Sequence, residues 1–348
     1  MNTRRCFYLV VALACILSLA AVRDAGAASS KEVIVLKFAD PSPHGTTRTL
    51  SVVKWGEELE KRSNGRLKFE WYWSQSLAKA LDTLNAVAGG IADAGMNAIM
   101  GYQVSQLPIW QLPELPMLCG SDMRAHGKVR KEMYFTIPEM KKEYDSLRVH
   151  PMVFGAYEPT VLYGKKPLRK LEDIKGLRIG VKGDLAKFVA AAGGVPVSLT
   201  SYEYYEGLQK GTIDAAAGYV TQMMSLKIPE VVKHLNLSPL QSYCHQYIIN
   251  PGVYNKLPAD LKKVIDDGWD LYLKIEADAM DRDRERDIRT MQEKYGIEIS
   301  TPSPEEFARW EKLTLPIKKG WVEKIEKRGV DGQRFLDTYE QLYKKNAK

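Results

Sequence analysis

The chain has 348 residues, with 50 Lys and Arg against 43 Asp and Glu, a formal charge of +7 and 45% hydrophobic residues. This balance is typical of a globular protein, and so small and dispersed an excess of positive charge gives no support for nucleic-acid binding. No run of 18 apolar residues occurs beyond the N-terminus, which argues against a membrane-spanning helix in the mature chain, and the length favours about two domains.

The first 27 residues have the pattern of a secretory signal peptide. Arg4 and Arg5 precede an apolar stretch over residues 6–22, and Ala25-Gly26-Ala27 offers small residues for cleavage. We therefore predict export from the cytoplasm, with no stable membrane insertion after cleavage.

Two cysteines, Cys119 and Cys244, remain after that cleavage. An oxidising compartment would allow a bridge between them, but two small buried apolar side chains are an equally good interpretation. No C-x-x-C or H-E-x-x-H spacing occurs, so we predict no metal site, and no pattern indicates a cofactor.

The first half of the mature chain alternates between strands and helices. β-Branched runs predict strands over residues 33–38, 67–73 and 91–98, and apolar residues at helical spacing predict helices over 46–63 and 78–88. This order predicts parallel strands joined by right-handed crossovers. An irregular connection over 107–117, a helix over 124–144 and a strand over 149–154 follow.

The pattern then starts again. Strands are predicted over 177–181, 195–199 and 213–217, with helices over 184–192 and 202–210 between them. Each half has a helix that ends at Gly before Ile and Asp begin a strand, Ile91 and Asp93 in one half and Ile213 and Asp214 in the other. This short similarity favours two alike α/β lobes over one large sheet.

The last part is mostly helical. A long helix is predicted from about residue 257 toward 293, a short strand over 296–299, and a final helical region from Ser303 that is interrupted at Pro316.

Four segments together resemble the dicarboxylate-type solute-binding proteins of tripartite ATP-independent periplasmic (TRAP) transporters. They are L-E-D-I-K-G-L-R-I from Leu171, G-V-P-V-S-L-T from Gly194, Y-E-Y-Y-E-G-L-Q-K-G-T-I-D from Tyr202, and N-K-L-P-A-D-L from Asn255. The resemblance spans nearly the whole mature chain. It implies a periplasmic receptor that binds a small organic solute and hands it to a membrane permease of two subunits, with no catalysis.

The resemblance also implies an α/β fold of the type II-like periplasmic binding protein class, with two lobes and a long helix along both. We expect one lobe from residues 28–156 and about 246–285, and the other from 157–245 and about 286–348. Open parallel sheets bind ligands at the carboxyl ends of their strands, so two facing lobes make a cleft there.

One position departs from the family. Members usually hold a ligand carboxylate with an Arg on the strand after the Lys-Gly-Leu segment, and Gly180 stands there in this chain. In one interpretation Lys182, or a reoriented Arg178, supplies the positive charge for an organic acid. In the other the solute is neutral or cationic and Glu158 or Asp184 faces it. Gly180 could also make room for a bulkier ligand.

The remaining candidate ligand-binding residues lie where predicted strands end or the chain returns between lobes. Aromatic walls with a few amides suit a polar organic solute. With Glu158 and Lys182, the predicted site comprises Trp73, Asn97, Tyr157, Tyr202, Tyr219 and His245.

Two alternative functions stay open at this stage. The first is a secreted enzyme on a small metabolite, although no G-x-S-x-G, P-loop, G-x-G-x-x-G or zinc motif occurs. The second is a ligand receptor for a sensor kinase, whose lobes would look the same.

Overall fold

The structure is a computed structural model that describes residues 32–97 and 107–347, so the predicted signal peptide lies outside the described residues. The strands are β1 Ile34–Ala39, β2 Leu67–Tyr72, β3 Ala94–Asn97, β4 His150–Ala156, β5 Thr160–Gly164, β6 Arg178–Gly180, β7 Val195–Val197, β8 Ala215–Gly218, β9 His234–Gln241, β10 Cys244–Ile249 and β11 Glu298–Ser300.

The helices, numbered in the same way, are α1 Thr47–Arg62, α2 Thr83–Ala88, α3 Met123–Thr136, α4 Pro138–Asp145, α5 Leu171–Ile174, α6 Leu185–Ala191, α7 Tyr204–Lys210, α8 Val220–Ser225, α9 Pro251–Lys256, α10 Ala259–Tyr295, α11 Pro304–Glu326 and α12 Gly332–Asn346. In the described part of the chain, no helix is both long and apolar enough to cross a bilayer.

Lobe 1 is built on a five-stranded sheet in the order β2-β1-β3-β10-β4. β1 pairs in parallel with β2 and β3, which confirms the β-α-β-α-β prediction, and β10 runs antiparallel between β3 and β4. The helix α1 begins at a capping box of Thr46 and Thr49 and buries Val52, Trp55 and Leu59 at helical spacing against this sheet.

Lobe 2 is built on a six-stranded sheet in the order β11-β9-β5-β8-β6-β7. β6 pairs in parallel with β7 and β8, whereas β5 is antiparallel to both β8 and β9. Within the described residues the chain passes between the sheets three times, twice by a short segment: residues 157–159, the first crossing, join β4 to β5, and Ser242-Tyr243, the second crossing, join β9 to β10. The third passage is the helical stretch that leads from β10 of lobe 1 to β11 of lobe 2.

The helix α10 is the long helix that the sequence predicts. Its 37 residues extend about 55 Å at 1.5 Å per residue. It packs on α1, α3 and β4 of lobe 1 and on α8 of lobe 2, so a single rigid element contacts both lobes.

The predicted helix over 124–144 is in fact two helices, because Pro138 interrupts it. Ile137, which precedes this proline, is extended with φ −111° and ψ 105°, the conformation that a following proline favours.

The predicted interruption at Pro316 is wrong, because the helix α11 continues through this residue. Trp310, Ile317 and Trp321 are buried on the same helix, and their packing outweighs the one backbone hydrogen bond that the proline removes.

The C-terminal helix α12 packs on lobe 1, although we expected residues 286–348 in lobe 2. The Tyr339 hydroxyl lies 2.7 Å from His126 Nδ1, and the Tyr343 hydroxyl accepts the Asp122 backbone N–H at 2.8 Å. The apolar face of α12 is part of the core of lobe 1, and this burial holds the helix on that lobe.

Cys119 and Cys244 are free thiols. Cys119 is half-buried and Cys244 is buried, so the unbridged interpretation is confirmed.

We predict that Pro316→Ala stabilises the protein, because Pro316 is exposed and lies inside a helix. Proline in a helix interior destabilises the folded state by about 3 kcal/mol. Its removal also gives the unfolded chain more conformational entropy, which stabilises the unfolded state by up to about 1 kcal/mol and offsets part of the gain. The free energy of unfolding in urea should therefore rise by about 2 kcal/mol. Leu315→Ala, at the exposed neighbouring position, is the control and should change it by less than about 0.5 kcal/mol. No gain for Pro316→Ala would mean that the proline has a packing role.

Candidate functional site

Three tyrosines meet where the two lobes join, and we call them the tyrosine wall: Tyr157, Tyr219 and Tyr243. Tyr157 lies in the first crossing, Tyr243 in the second, and Tyr219 directly follows the carboxyl end of β8 in lobe 2. The rings of Tyr157 and Tyr219 stack with centroids 5.1 Å apart and an interplanar angle of 18°, and Tyr243 meets Tyr219 edge-on at 5.9 Å. Each residue is half-buried, so the wall keeps some contact with solvent.

His245 lies behind the wall on the lobe 1 side. Its ring centroid is 4.8 Å from that of Tyr157. Its Nε2 is 3.1 Å from the Tyr272 hydroxyl and 3.2 Å from Glu276 Oε1, both on α10, whereas its buried Nδ1 has no hydrogen-bond partner among the described residues. His245 therefore contacts the wall and is held in place by the long helix.

A buried ion pair, which the sequence analysis missed, adjoins this histidine. Arg48, in the first turn of α1, donates hydrogen bonds to both carboxylate oxygens of Asp40 at 2.7 and 2.8 Å and to the Tyr247 hydroxyl at 3.1 Å. The Tyr247 hydroxyl also forms a hydrogen bond with the Tyr272 hydroxyl, at 3.0 Å. Burial raises the pKa of Tyr157 to about 12, and the nearby Arg48 opposes that rise. The only sequence signal for this pair was its place, just after β1 and at the start of the next helix.

Two other predicted residues also lie at the carboxyl edge of lobe 1. Trp73 follows β2, is half-buried, stacks on Trp71 at 5.3 Å and lies 5.2 Å from His44. Asn97 ends β3, is buried, and is paired in register with Gln246 of β10. The carboxyl edge of the sheet thus holds both, as the strand-end rule predicts.

Glu158 is committed to the protein itself. Its Oε1 accepts hydrogen bonds from the Thr221 backbone N–H at 2.8 Å and from the Thr221 hydroxyl, and Arg284 Nε lies 3.6 Å from Oε2. Burial raises the pKa of Glu158 to about 7, although the Thr221 hydrogen bonds and Arg284 oppose the rise. Its side chain is buried against these groups, so the hypothesis that it faces a cationic solute finds no support.

The charged candidates Arg178, at the start of β6, and Lys182, just after β6, differ in whether they have a partner. Arg178 donates to Asp214 Oδ2 at 3.0 Å and Oδ1 at 2.9 Å, an ion pair within lobe 2. Lys182 is exposed, and partial burial of its ammonium group lowers the pKa while Glu203 opposes that effect. Tyr202 lies next to Glu203 in a short turn and is 69% exposed, the position of a rim residue.

Asp184 has a different role from the one expected. It occupies the N-cap position of α6, but its side chain makes no capping hydrogen bond. It accepts a hydrogen bond from Gln111 Nε2 at 2.6 Å and pairs with Lys187 at 2.6 Å. These partners use its carboxylate, which argues against a solute contact.

Gly180 leaves no room for a bulkier solute. A Cβ on this residue would lie 2.7 Å from Tyr204 Cε1 and 3.0 Å from Ile213 Cδ1. The Tyr204 ring, which is buried in the core of lobe 2, therefore occupies the volume that a side chain at position 180 would take. The hypothesis that Gly180 opens ligand space is wrong for this reason.

The described ranges hold no cluster of three or more His, Cys, Asp or Glu residues placed to bind a metal ion. The site consists of aromatic rings, buried hydrogen-bonded carboxyls and a few paired cations. Such a surface can bind and orient a small organic molecule between the lobes.

Comparison with known proteins agrees with this geometry. The family model described as "Bacterial extracellular solute-binding protein, family 7" matches residues 38–324. A C4-dicarboxylate-binding periplasmic protein, DctP, of Rhodobacter capsulatus is 24% identical over 296 residues, which is 84% of this chain and 88% of the relative. A solute-binding protein of Albidiferax ferrireducens is 25% identical over 295 residues, 82% of this chain and 85% of the relative.

Solved structures share the two-lobed fold. A TRAP periplasmic solute-binding protein of Desulfovibrio salexigens has a TM-score of 0.82 and 28% identity, over 90% of this chain and 97% of that one. A TRAP solute-binding protein of Rhodoferax ferrireducens, in complex with copurified benzoate, has a TM-score of 0.79 and 22% identity, over 90% and 99% of the two chains. At the latter identity the likeness shows the fold alone.

We predict that Gly180→Ala destabilises lobe 2, because the new methyl group would meet the Tyr204 ring at 2.7 Å. Overpacking of this kind costs about 1–3 kcal/mol of unfolding free energy in chemical denaturation. Gly320→Ala is the control, since a Cβ there meets nothing within 4 Å. The cost at position 180 should shrink in a Tyr204→Ala background. A neutral Gly180→Ala would restore the idea of open volume at this position.

Proposed function

Because the chain belongs to family 7 of the bacterial extracellular solute-binding proteins, we propose that it captures a small organic acid between its two lobes at the tyrosine wall. It is an extracytoplasmic receptor of the TRAP type, and the family role is delivery of the bound solute to the membrane permease. The predicted signal peptide supports a periplasmic location for the mature chain.

The observation that carries the proposal is the junction of Tyr157, Tyr219 and Tyr243. These rings come from both crossings and from a lobe 2 strand end, so one solute that touches all three contacts both lobes and the connections between them. A ligand shifts a two-state equilibrium only by its differential affinity for the two states. A solute that contacts both lobes binds the closed state better and thereby stabilises it.

An aromatic or otherwise planar carboxylic acid suits this wall best. Stacked and edge-on rings are worth about 0.5–1.5 kcal/mol beyond their buried area. Structural relatives were crystallised with benzoate, with 3-hydroxybenzoate and with mandelate. Trp73, Asn97, Tyr202 and His245 remain proposed parts of the same site.

For the acid group we favour Lys182 over Arg178. Arg178 is paired with Asp214 and Arg48 with Asp40, so their donors are already engaged. Lys182 is exposed just beyond the end of β6, and no hydrogen bond or ion pair of its side chain appears among the described contacts. An ammonium group there can approach a carboxylate without breaking an existing ion pair.

We predict that an organic acid raises the melting temperature of the protein. The panel for differential scanning fluorimetry is benzoate, 3-hydroxybenzoate, mandelate, pyroglutamate and succinate. A solute at about 100 times its dissociation constant adds about 2.7 kcal/mol, which corresponds to a shift of several degrees. Tyr219→Ala should weaken the best binder roughly 10- to 100-fold, whereas Tyr295→Ala, at the end of α10, should not. Equal loss in both variants would remove the wall from the site.

We predict that Lys182→Ala weakens binding of the same acid by roughly fivefold to 30-fold in isothermal titration calorimetry, since a charge-assisted hydrogen bond contributes about 1–2 kcal/mol. Lys187→Ala is the control, because Lys187 is exposed and pairs with Asp184. Unchanged affinity in Lys182→Ala would exclude it as the partner of the carboxylate.

A further inference from the structure

Glu114 contacts both ends of the second crossing. It ends the short turn Leu112–Glu114, inside the connection predicted to be irregular. Its backbone carbonyl accepts a hydrogen bond from Nε2 of Gln241, the last residue of β9 in lobe 2. Its carboxyl oxygen Oε1 accepts the backbone N–H of Cys244, the first residue of β10 in lobe 1, at 3.0 Å. Only Ser242 and Tyr243 separate these two anchors, so one residue joins the lobes across the crossing.

The same carboxyl lies among groups of the solute site. The charge of Glu114 contributes to a raised pKa of Tyr219 and of Tyr243 in the tyrosine wall, and to a raised pKa of the Cys244 thiol. Arg130 of α3 and Asp184 before α6 are the charged side chains that act on it. Glu114 is 5% exposed, and no ion pair of its carboxyl occurs in the described part of the chain.

Arg130 does not neutralise Glu114 directly. Its guanidinium donates to the backbone carbonyls of His126 and Gly155, and its remaining nitrogen, NH1, is buried without a hydrogen-bond partner. Arg130 thus lowers the cost of a charge on Glu114 from a distance, whereas Asp184 raises it. The balance leaves a buried carboxyl that is held by one backbone N–H.

We propose that Glu114 is a positioning residue that couples lobe closure to protonation: its neutral carboxyl stabilises the closed arrangement, and its ionisation favours opening. This inference rests on the proposed function only in assuming that the lobes open and close around a solute. Rotation about Ser242 and Tyr243 changes the distance between the Gln241 and Cys244 anchors, so Glu114 cannot keep both contacts in every arrangement of the lobes.

We take the arrangement in this structure, in which Glu114 contacts both anchors, as the closed one, and the direction of the pH effect then follows from burial. Burial raises the pKa of Glu114 to about 8, although the Cys244 N–H and Arg130 oppose the rise and Asp184 adds to it. Opening admits water to the carboxyl and returns its pKa toward the ordinary value near 4.3. Between those two values the closed state binds more protons than the open state. Raising the pH through that window therefore shifts the lobes toward the open state.

The experiment measures the lobe distance in the full, solute-free chain. Spin labels on cysteines introduced at Leu81 of lobe 1 and Val195 of lobe 2, both exposed, report the distance by double electron–electron resonance from pH 5.5 to 9. A sample without the introduced cysteines gives the background from Cys119 and Cys244. We expect the closed-to-open ratio to fall with rising pH, by at most tenfold per pH unit for one proton.

Two variants separate this role from a merely structural one. Glu114→Gln keeps an oxygen acceptor for the Cys244 N–H but cannot ionise, so its ratio should stay constant across the pH range. Glu143→Gln is the matched control: Glu143 is half-buried, accepts the backbone N–H groups of Ile109 and Trp110, and has a pKa raised by partial burial to about 7. It does not contact the crossing, so this variant should keep the wild-type pH response.

A wild-type ratio that does not change with pH overturns the proposal, whatever the variants do. A wild-type slope that persists in Glu114→Gln overturns it as well, because another group then carries the proton. A parallel titration with benzoate as the probe keeps the two proposals apart. If the solute-free lobes respond to pH and neither benzoate nor any other acid of the fluorimetry panel binds, the solute assignment fails while the role of Glu114 stands.

Discussion

Two short crossings connect the lobes, and the rest of the site depends on them. The backbone N–H of Tyr157 donates to the carbonyl of Tyr243 at 3.0 Å, so the two crossings are joined to each other by a hydrogen bond. Each crossing also contributes a ring to the wall. Any movement of one lobe relative to the other therefore changes the surface that a solute meets, and a solute that fits this surface restrains the movement. Under the proposed function, binding and closure are linked through Tyr157 and Tyr243.

The electrostatics of the junction follow from burial. Arg48 pairs with Asp40 inside lobe 1, and Glu276 accepts the Tyr272 hydroxyl beside His245. Removing one member of a buried pair of charges leaves the other uncompensated, which is why these groups occur as sets. Glu114, by contrast, forms no ion pair among the described residues, and burial raises its pKa to about 8. Glu158 has Arg284 at 3.6 Å, yet burial still raises its pKa to about 7. In the proposed function, aromatic contact and a cation at the rim therefore provide most of the affinity for an organic acid.

The sequence analysis located the crossings better than the chemistry around them. The strand-end rule located Tyr157 and Tyr219, and the return between lobes located His245; these residues lie close together because the ends of β4 and β8 and the start of β10 meet where the lobes join. It failed for Glu158 and Asp184, since their partners Thr221 and Gln111 are 63 and 73 positions away in the chain. It missed Arg48 and Glu114 altogether, because no local pattern distinguishes a buried charged residue from a solvated one.

By itself the sequence determined the family, the α/β alternation, the long helix α10 and the parallel order of the first three strands, since these follow from periodicity, glycine positions and short motifs. Only the tertiary structure decided that β5 and β9 pair in lobe 2, that β10 inserts between β3 and β4, and that α12 packs on lobe 1. It alone showed that Tyr204 occupies the space above Gly180 and that Glu114 holds both ends of a crossing. The physical reason is the range of the interactions: propensity and hydrophobic spacing act between residues a few positions apart, whereas burial, stacking and buried hydrogen bonds join residues that only the folded chain brings together.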